Sequence, residues 1–120
     1  MQVHNLVDVD THLPHARGLE AAGRVRDVGV THYVVDSHHD LERLTEDGRV
    51  DLVQCNYSLA VRDAERRLLP LAAERRIATV INRPFESGGM FERVARVPLL
   101  PAASALGCHS WAALFLKYVI

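Results

Sequence analysis

Polar side chains recur where the apolar, β-branched runs of this sequence end, and these residues are the best placed to do chemistry. The set holds imidazoles, amides, a hydroxyl and one guanidinium, but no carboxylate. Glycoside hydrolysis needs an acid pair, and most metal-dependent hydrolysis needs Asp or Glu beside His, so neither is favoured. Amides around an imidazole suit an uncharged amide-bearing ligand, such as a nicotinamide ring, and the polarisation of a carbonyl. The residues are His4, Asn5, Thr31, His32, Gln54, Asn56, Asn82 and Arg83.

Four β-branched runs must position these side chains, and each run is followed by a segment with helical spacing. The runs are Met1–Leu6, Asp27–Val30, Leu52–Asn56 and Ala78–Ile81. Their centres repeat roughly every 25 residues, which fits a strand, a loop, a helix and a return turn. The sequence therefore predicts about four βα units.

The helices are predicted from apolar spacing and from residues that start or stop a helix. In the second helix, Ser37 is expected to cap the first turn while Asp40 completes a capping box. The four predicted helices run from Leu13 to Ala22 with Gly23 as the stop, from Ser37 to before Gly48, from near Arg66 with Pro70 in the first turn, and from about Ser110.

Parallel strands covered by helices, in equal units without a reversal of strand order, predict an α/β fold that is part of a (β/α)8 TIM barrel. A doubly wound sheet is the competing architecture. No G-x-G-x-x-G turn follows any predicted strand, which disfavours that alternative. We expect one partial barrel domain over residues 1–120. A half barrel has two open sheet edges, so self-association through them is also expected.

Composition narrows the class of partner. The chain has 120 residues, is 48% hydrophobic and 24% charged, and carries a formal charge of −1, so a nucleic-acid surface is not indicated. The cysteines Cys55 and Cys108 lie in no paired motif, which favours a reducing, cytoplasmic compartment and buried, unreactive thiols. No apolar run is long enough to predict a membrane span.

Three stretches resemble the aldo/keto reductase family in order and spacing. GRVRDVGVTHY (Gly23–Tyr33) resembles its G-K-I-R-x-I-G-V-S-N-F element. VDLVQCNYSL (Val50–Leu59) and AERRLLPLAAERRIATVINRPFESGGMF (Ala64–Phe91) look like the next two βα units. The resemblance implies an NADPH-dependent oxidoreductase that reduces a small carbonyl substrate, an aldehyde or a ketone.

The resemblance assigns roles to individual residues. His4, in QVHN, matches the histidine of the family's L-x-L-I-H-W strand and is implied to orient and polarise the substrate carbonyl as the catalytic residue. Thr31 and His32 stand where the family has Ser-Asn, and Gln54 matches its glutamine. These three are implied to bind the nicotinamide carboxamide.

The stretch that begins at Asn82 departs from the family pattern. Asn82-Arg83-Pro84-Phe85 replaces the Tyr-Ser-Pro-Leu of the commonest family pattern. The family's tyrosine stacks on the nicotinamide, and asparagine cannot stack in that way. Cofactor contact is still expected here, because Arg83 adds charge and the loop through Gly88 offers backbone N–H groups to a pyrophosphate.

The family's catalytic Asp, Tyr and Lys lie on strands before the one that matches Met1–Leu6, so we expect a fragment that is inactive by itself. Two alternatives remain: a non-catalytic barrel remnant that acts as a homodimer or docking module, and a metal-dependent barrel hydrolase using the His-rich loops. Asp8, Asp10, His12 and His15 are expected to form a polar loop without a metal, and His38-His39 a solvated face.

Overall fold

A computed structural model describes residues 1–120 and places four parallel strands in one sheet, in the order β1-β2-β3-β4. The strands are β1 (Gln2–His4), β2 (Gly29–Thr31), β3 (Leu52–Asn56) and β4 (Ala78–Asn82). The α-helices are α1 (Val9–Ala21), α2 (His38–Glu46), α3 (Leu68–Arg75), α4 (Gly89–Val94) and α5 (Trp111–Val119). Short 3₁₀ turns lie at Val35–Ser37, Asp63–Glu65, Glu86–Gly88 and Pro101–Leu106.

Each strand pairs in parallel with the next one along the chain, and helices connect them. Strand order never reverses, which is the arrangement of consecutive units in a βα barrel rather than of a doubly wound sheet. The predicted fold class, α/β with four parallel strands forming part of a barrel, is therefore confirmed.

The predicted elements exist, but several boundaries differ. The first strand ends at His4 because Asn5 and Leu6 adopt positive φ angles of 52° and 55°. The first helix begins at Val9 rather than Leu13 and contains Pro14 in its second turn. Gly23, with a φ of 69°, follows it as predicted. The short helix α4 was not predicted, since its six residues show no clear apolar period.

The core lies between one face of the sheet and the helices. On each strand alternate side chains point to this side, and Val3, Val30 and Val53 are almost fully buried there. Leu41 of α2 and Leu68 of α3 pack against them and have no exposed surface. The opposite face carries no helix, so it is the inner face of a barrel wall.

Both edges of the sheet are open. Ala78 N–H donates to Asp51 O, and Asn82 O accepts from Tyr57 N–H, so these residues of β4 bond towards β3. Because successive residues of a parallel strand bond to opposite sides, Thr79 and Ile81 turn their backbone groups outwards. Val80, between them on the inner face, is 43% exposed.

At the end of the sheet where the strands begin, an ion-pair cluster connects α1 to the segments that precede β2 and β3. Arg17 of α1 makes two hydrogen bonds to Asp51, at 2.6 and 3.1 Å, and a third to the Arg49 carbonyl. Asp51 also accepts from the Val28 N–H at 2.8 Å. Partial burial opposes ionisation of Asp51, but these hydrogen bonds outweigh it and lower its pKa.

The strands approach one another closely at Gly29. A Cβ atom placed there would collide with the backbone oxygen and the side chain of Leu52 on β3. Only glycine fits this position, because the missing side chain leaves room for the neighbouring strand.

None of the helices combines the length and the hydrophobicity that a membrane-spanning segment requires.

Candidate active site

The strand register puts three of the predicted site residues in one row across the sheet. His4 on β1 is the partner of Thr31 on β2, and Thr31 is the partner of Gln54 on β3. Neighbouring parallel strands lie about 4.8 Å apart, so the row spans roughly 10 Å. Partnered residues project to the same side, and here that side is the open inner face. The row ends on β4 at Val80, which is apolar.

The row offers hydrogen-bonding groups that the protein itself does not use. Within the chain, neither the Thr31 hydroxyl nor the Gln54 amide has a hydrogen-bond partner, and His4 is exposed. Thr31 is only 6% exposed, whereas Gln54 is half-buried. A hydroxyl and an amide can each donate and accept, so together they can bind both ends of a ligand carboxamide.

His32 follows β2 at the rim of the sheet, and both its backbone N–H and its carbonyl are hydrogen-bonded. Its N–H donates to Gln54 O at 3.0 Å, and its carbonyl accepts from Asn82 Nδ2 at 3.1 Å. Its ring Nδ1 accepts from the backbone N–H groups of Tyr33 and Val34, at 3.0 and 3.3 Å. The ring also stacks on that of Tyr33, with centroids 5.4 Å apart.

Asn82 ends β4, where the amide side chain reaches past the end of β3 to the His32 carbonyl. Its Oδ1 atom is buried and has no partner. The other two buried side-chain polar atoms without a partner, Arg83 Nε and Glu86 Oε1, belong to the loop that follows. Buried polar groups are nearly always paired, so their concentration in residues 82–86 marks this loop as unusual.

The remaining predicted cofactor residues lie in the same loop. The Arg83 guanidinium lies over the Tyr33 ring at 5.6 Å and donates to Ser87 Oγ at 3.3 Å. The Phe85 ring packs against Phe91 at 5.0 Å. Gly88 has a φ of 98°, and its N–H bonds to Phe85 O at 2.9 Å. Cofactor contact by these residues stays a prediction.

Asn56, unlike the other polar residues at the strand ends, is buried and bonded to a helix. It is 4% exposed, and its Oδ1 lies 2.9 Å from His38 Nε2. Because an amide oxygen only accepts, His38 must donate this bond. The prediction of a solvated His38-His39 face is therefore wrong for His38, which is 6% exposed and secures the start of α2, and holds only for His39.

The prediction that Asp8, Asp10, His12 and His15 form a loop is wrong, because α1 begins at Val9 and includes the last three. No group of three His, Cys, Asp or Glu side chains in the chain is arranged to hold a metal ion. Cys55 is fully buried in β3, and burial raises the pKa of its thiol to about 11. A thiol in that state is un-ionised at neutral pH and a poor nucleophile.

Sequence reasoning missed a cluster around Glu65. Its Oε1 accepts from the hydroxyls of Tyr57 and Tyr118, at 2.7 and 2.9 Å, while Arg62 binds both carboxylate oxygens. The bonds from Arg62 and the two tyrosines lower the pKa of Glu65 to about 2. No local sequence motif predicts this cluster, since Tyr118 lies 53 residues after Glu65 along the chain.

Comparison with known proteins gives one partial similarity. An NADH-specific methylglyoxal reductase from Escherichia coli (strain K12) is 32% identical over 78 residues, which is 65% of this chain. The chain spans only 23% of the length of that reductase. No family model and no solved structure matches the chain. The similarity suggests the aldo/keto reductase family and supports a relationship to oxidoreductases.

Proposed function

We propose that this chain forms the carboxamide-binding and carbonyl-facing part of a nicotinamide-dependent oxidoreductase that reduces an aldehyde or ketone. The observation that carries the proposal is the row His4, Thr31 and Gln54 on the open inner face. Its neutral polar groups match an uncharged amide beside a carbonyl oxygen, and no carboxylate lies among them. The partial similarity to a reductase supports the same chemistry.

Each residue of the row has a distinct role in this proposal. The Gln54 amide and the Thr31 hydroxyl bind the cofactor carboxamide and fix the orientation of its ring. His4 donates a ring N–H to the substrate carbonyl oxygen and polarises the carbonyl. When bound, the nicotinamide supplies a hydride to the carbonyl carbon. Asn82 takes no part in stacking, because its amide is engaged with His32.

The proposed cofactor is a nicotinamide dinucleotide, either NADH or NADPH. The sequence resemblance implies NADPH, whereas the similar reductase is named for NADH. The two differ only at the adenosine ribose, which the row His4–Thr31–Gln54 does not contact in this proposal. Both forms therefore belong in the test.

The first test is cofactor binding. The chain is titrated with NADH and with NADPH, and the fluorescence of each cofactor reports its binding. The Gln54→Ala variant is expected to weaken binding by roughly tenfold, the value of one or two lost hydrogen bonds. Gln2→Ala is the matched control, because Gln2 lies on the same face one row lower, beside Gly29. No binding of either cofactor by the unaltered chain, or equal losses in both variants, would contradict the proposal.

Turnover is the second measurement in the same samples, with methylglyoxal and a simple aldehyde as substrates. We propose binding without turnover for the chain by itself, because the row contains no tyrosine to donate a proton to the carbonyl oxygen. Reduction at a measurable rate would show that the chain needs no further catalytic residues, and His4→Ala would then be expected to abolish it.

A second candidate is a non-catalytic barrel remnant that acts as a homodimer or a docking module. The two open edges of the sheet and the exposed Val80 favour it. It predicts self-association in the absence of any cofactor binding, so the titration separates the two candidates.

A further inference from the structure

One nitrogen of the His32 ring accepts hydrogen bonds from the protein backbone. Two backbone N–H groups, from Tyr33 and Val34, point at Nδ1. A nitrogen that accepts these bonds cannot itself carry a hydrogen. The neutral ring must therefore hold its proton on Nε2, so His32 presents a hydrogen-bond donor to its surroundings and no acceptor.

This arrangement depends on contacts from β4 and the loop after it. Asn82 Nδ2 holds the His32 carbonyl at 3.1 Å, and the Arg83 guanidinium lies over the Tyr33 ring at 5.6 Å. The Tyr33 ring in turn stacks almost parallel to the imidazole, with an interplanar angle of 10°. Asn82 and Arg83, at the end of β4, thus hold His32 and Tyr33, which follow β2. These contacts pass across the end of β3.

We propose that Asn82 is a positioning residue, which holds the segment after β2 so that His32 is locked in the Nε2–H tautomer. The ligand part of the inference rests on the proposed function. A donor at His32 selects a ligand oxygen, so the carboxamide oxygen of the nicotinamide binds His32, and its NH₂ group binds the acceptor atoms of Gln54 and Thr31. Asn82 acts through His32 and does not touch the cofactor.

The unpaired Oδ1 of Asn82 is consistent with this role. One end of the amide gains a hydrogen bond to His32, while the other end stays buried without a partner. The bond to His32 is therefore the one hydrogen bond that this side chain makes within the chain.

The test reads the tautomer directly, without any cofactor. Ring ¹⁵N NMR of the full chain, at a pH where histidines are neutral, shows which nitrogen of His32 is protonated, and His32→Gln identifies the signal. We expect the Nε2–H tautomer in the unaltered chain and a mixture of tautomers in Asn82→Ala. Thr79→Ala is the control, because Thr79 lies on the same strand but is exposed and faces away from the row His4–Thr31–Gln54.

Cofactor titration of the same variants completes the test. Asn82→Ala is expected to weaken NADH or NADPH binding by roughly three- to tenfold, as one lost hydrogen bond would, and Thr79→Ala to leave it unchanged. Should Asn82→Ala fail to fold, Tyr33→Ala, which removes the stacked ring, is expected to give the same mixture of tautomers.

The outcomes separate this inference from the proposed function. An Nδ1–H tautomer in the unaltered chain, or an Asn82→Ala spectrum identical to it, overturns the positioning role. A locked tautomer in a chain that binds neither cofactor supports the positioning of His32 and overturns the proposed ligand. Cofactor binding that Asn82→Ala leaves unchanged overturns the link between the two.

Discussion

Glu65 joins three parts of the chain through a single carboxylate. It accepts hydrogen bonds from Tyr57, which follows β3, and from Tyr118 near the end of α5, and it pairs with Arg62 beside it. The two tyrosine rings also stack, with centroids 5.8 Å apart. The ionised carboxylate therefore fastens the last helix to the sheet, although its own side chain is 33% exposed.

Glu65→Gln should reveal this role as a pH-dependent loss of stability. The pKa of Glu65 is lowered from 4.5 to about 2 in the folded chain, so its ionised form stabilises the fold above the unfolded pKa. That contribution is expected in full above about pH 4.5 and to be lost as the pH falls towards 2. Urea unfolding at a series of pH values measures it.

The variant should be less stable than the unaltered chain at neutral pH, and the difference between them should shrink in acid. Asp63→Asn is the control, because the Arg66–Asp63 pair beside Glu65 is long, at 4.0 Å, and exposed. A difference that stays constant with pH would mean that the Glu65 carboxylate contributes nothing through its charge.

At the scale of elements, the two serines expected to start helices behave differently. Ser110 Oγ accepts from the Ala113 N–H at 3.1 Å and caps α5. Ser37 makes no such bond, because it ends a 3₁₀ turn with helical rather than extended backbone angles, φ −89° and ψ −1°. His38, bonded to Asn56, secures the start of α2 instead.

Ser110→Ala is expected to destabilise the chain by about 1 kcal/mol, the usual contribution of a capping serine. Ser37→Ala is the matched control and should change the free energy of unfolding by less than about 0.5 kcal/mol. Thermal or urea unfolding of both variants measures the difference. Equal losses would mean that the capping bond of Ser110 does not stabilise α5.

These two serines also show what the sequence could predict. Strand and helix order depend on local apolar spacing, and β3 matches its predicted range, Leu52–Asn56. The alignment of His4, Thr31 and Gln54 follows from the equal placement of polar residues at strand ends. The His38–Asn56 and Tyr118–Glu65 bonds join residues 18 and 53 positions apart, so no local pattern contains them.

The whole molecule is less compact than its length requires. Its radius of gyration is 16.7 Å, whereas a compact domain of this size has about 14 Å, and its longest dimension is 51 Å. The excess follows from the elongated shape, 51 × 27 × 23 Å, in which the inner face and the open edges of β1 and β4 stay uncovered.

Self-association through the open edges is the expected consequence and stays a prediction. Light scattering should give a mass above the 13.4 kDa of one chain, rising with concentration. Val80→Lys, which puts a charge on the edge strand, should lower that mass. Leu59→Lys is the control, because Leu59 is also 43% exposed but lies outside the sheet. A monomer at all concentrations would contradict the prediction.

The Arg17–Asp51 cluster has a consequence for how such a protein can change over generations. It secures the end of the sheet where the strands begin, while the site residues lie at the opposite end. Because the two ends share no side chain, substitutions at the site can accumulate while the scaffold survives. Inheritance of the scaffold and inheritance of the chemistry are thus separable, and a descendant can keep the first after losing the second.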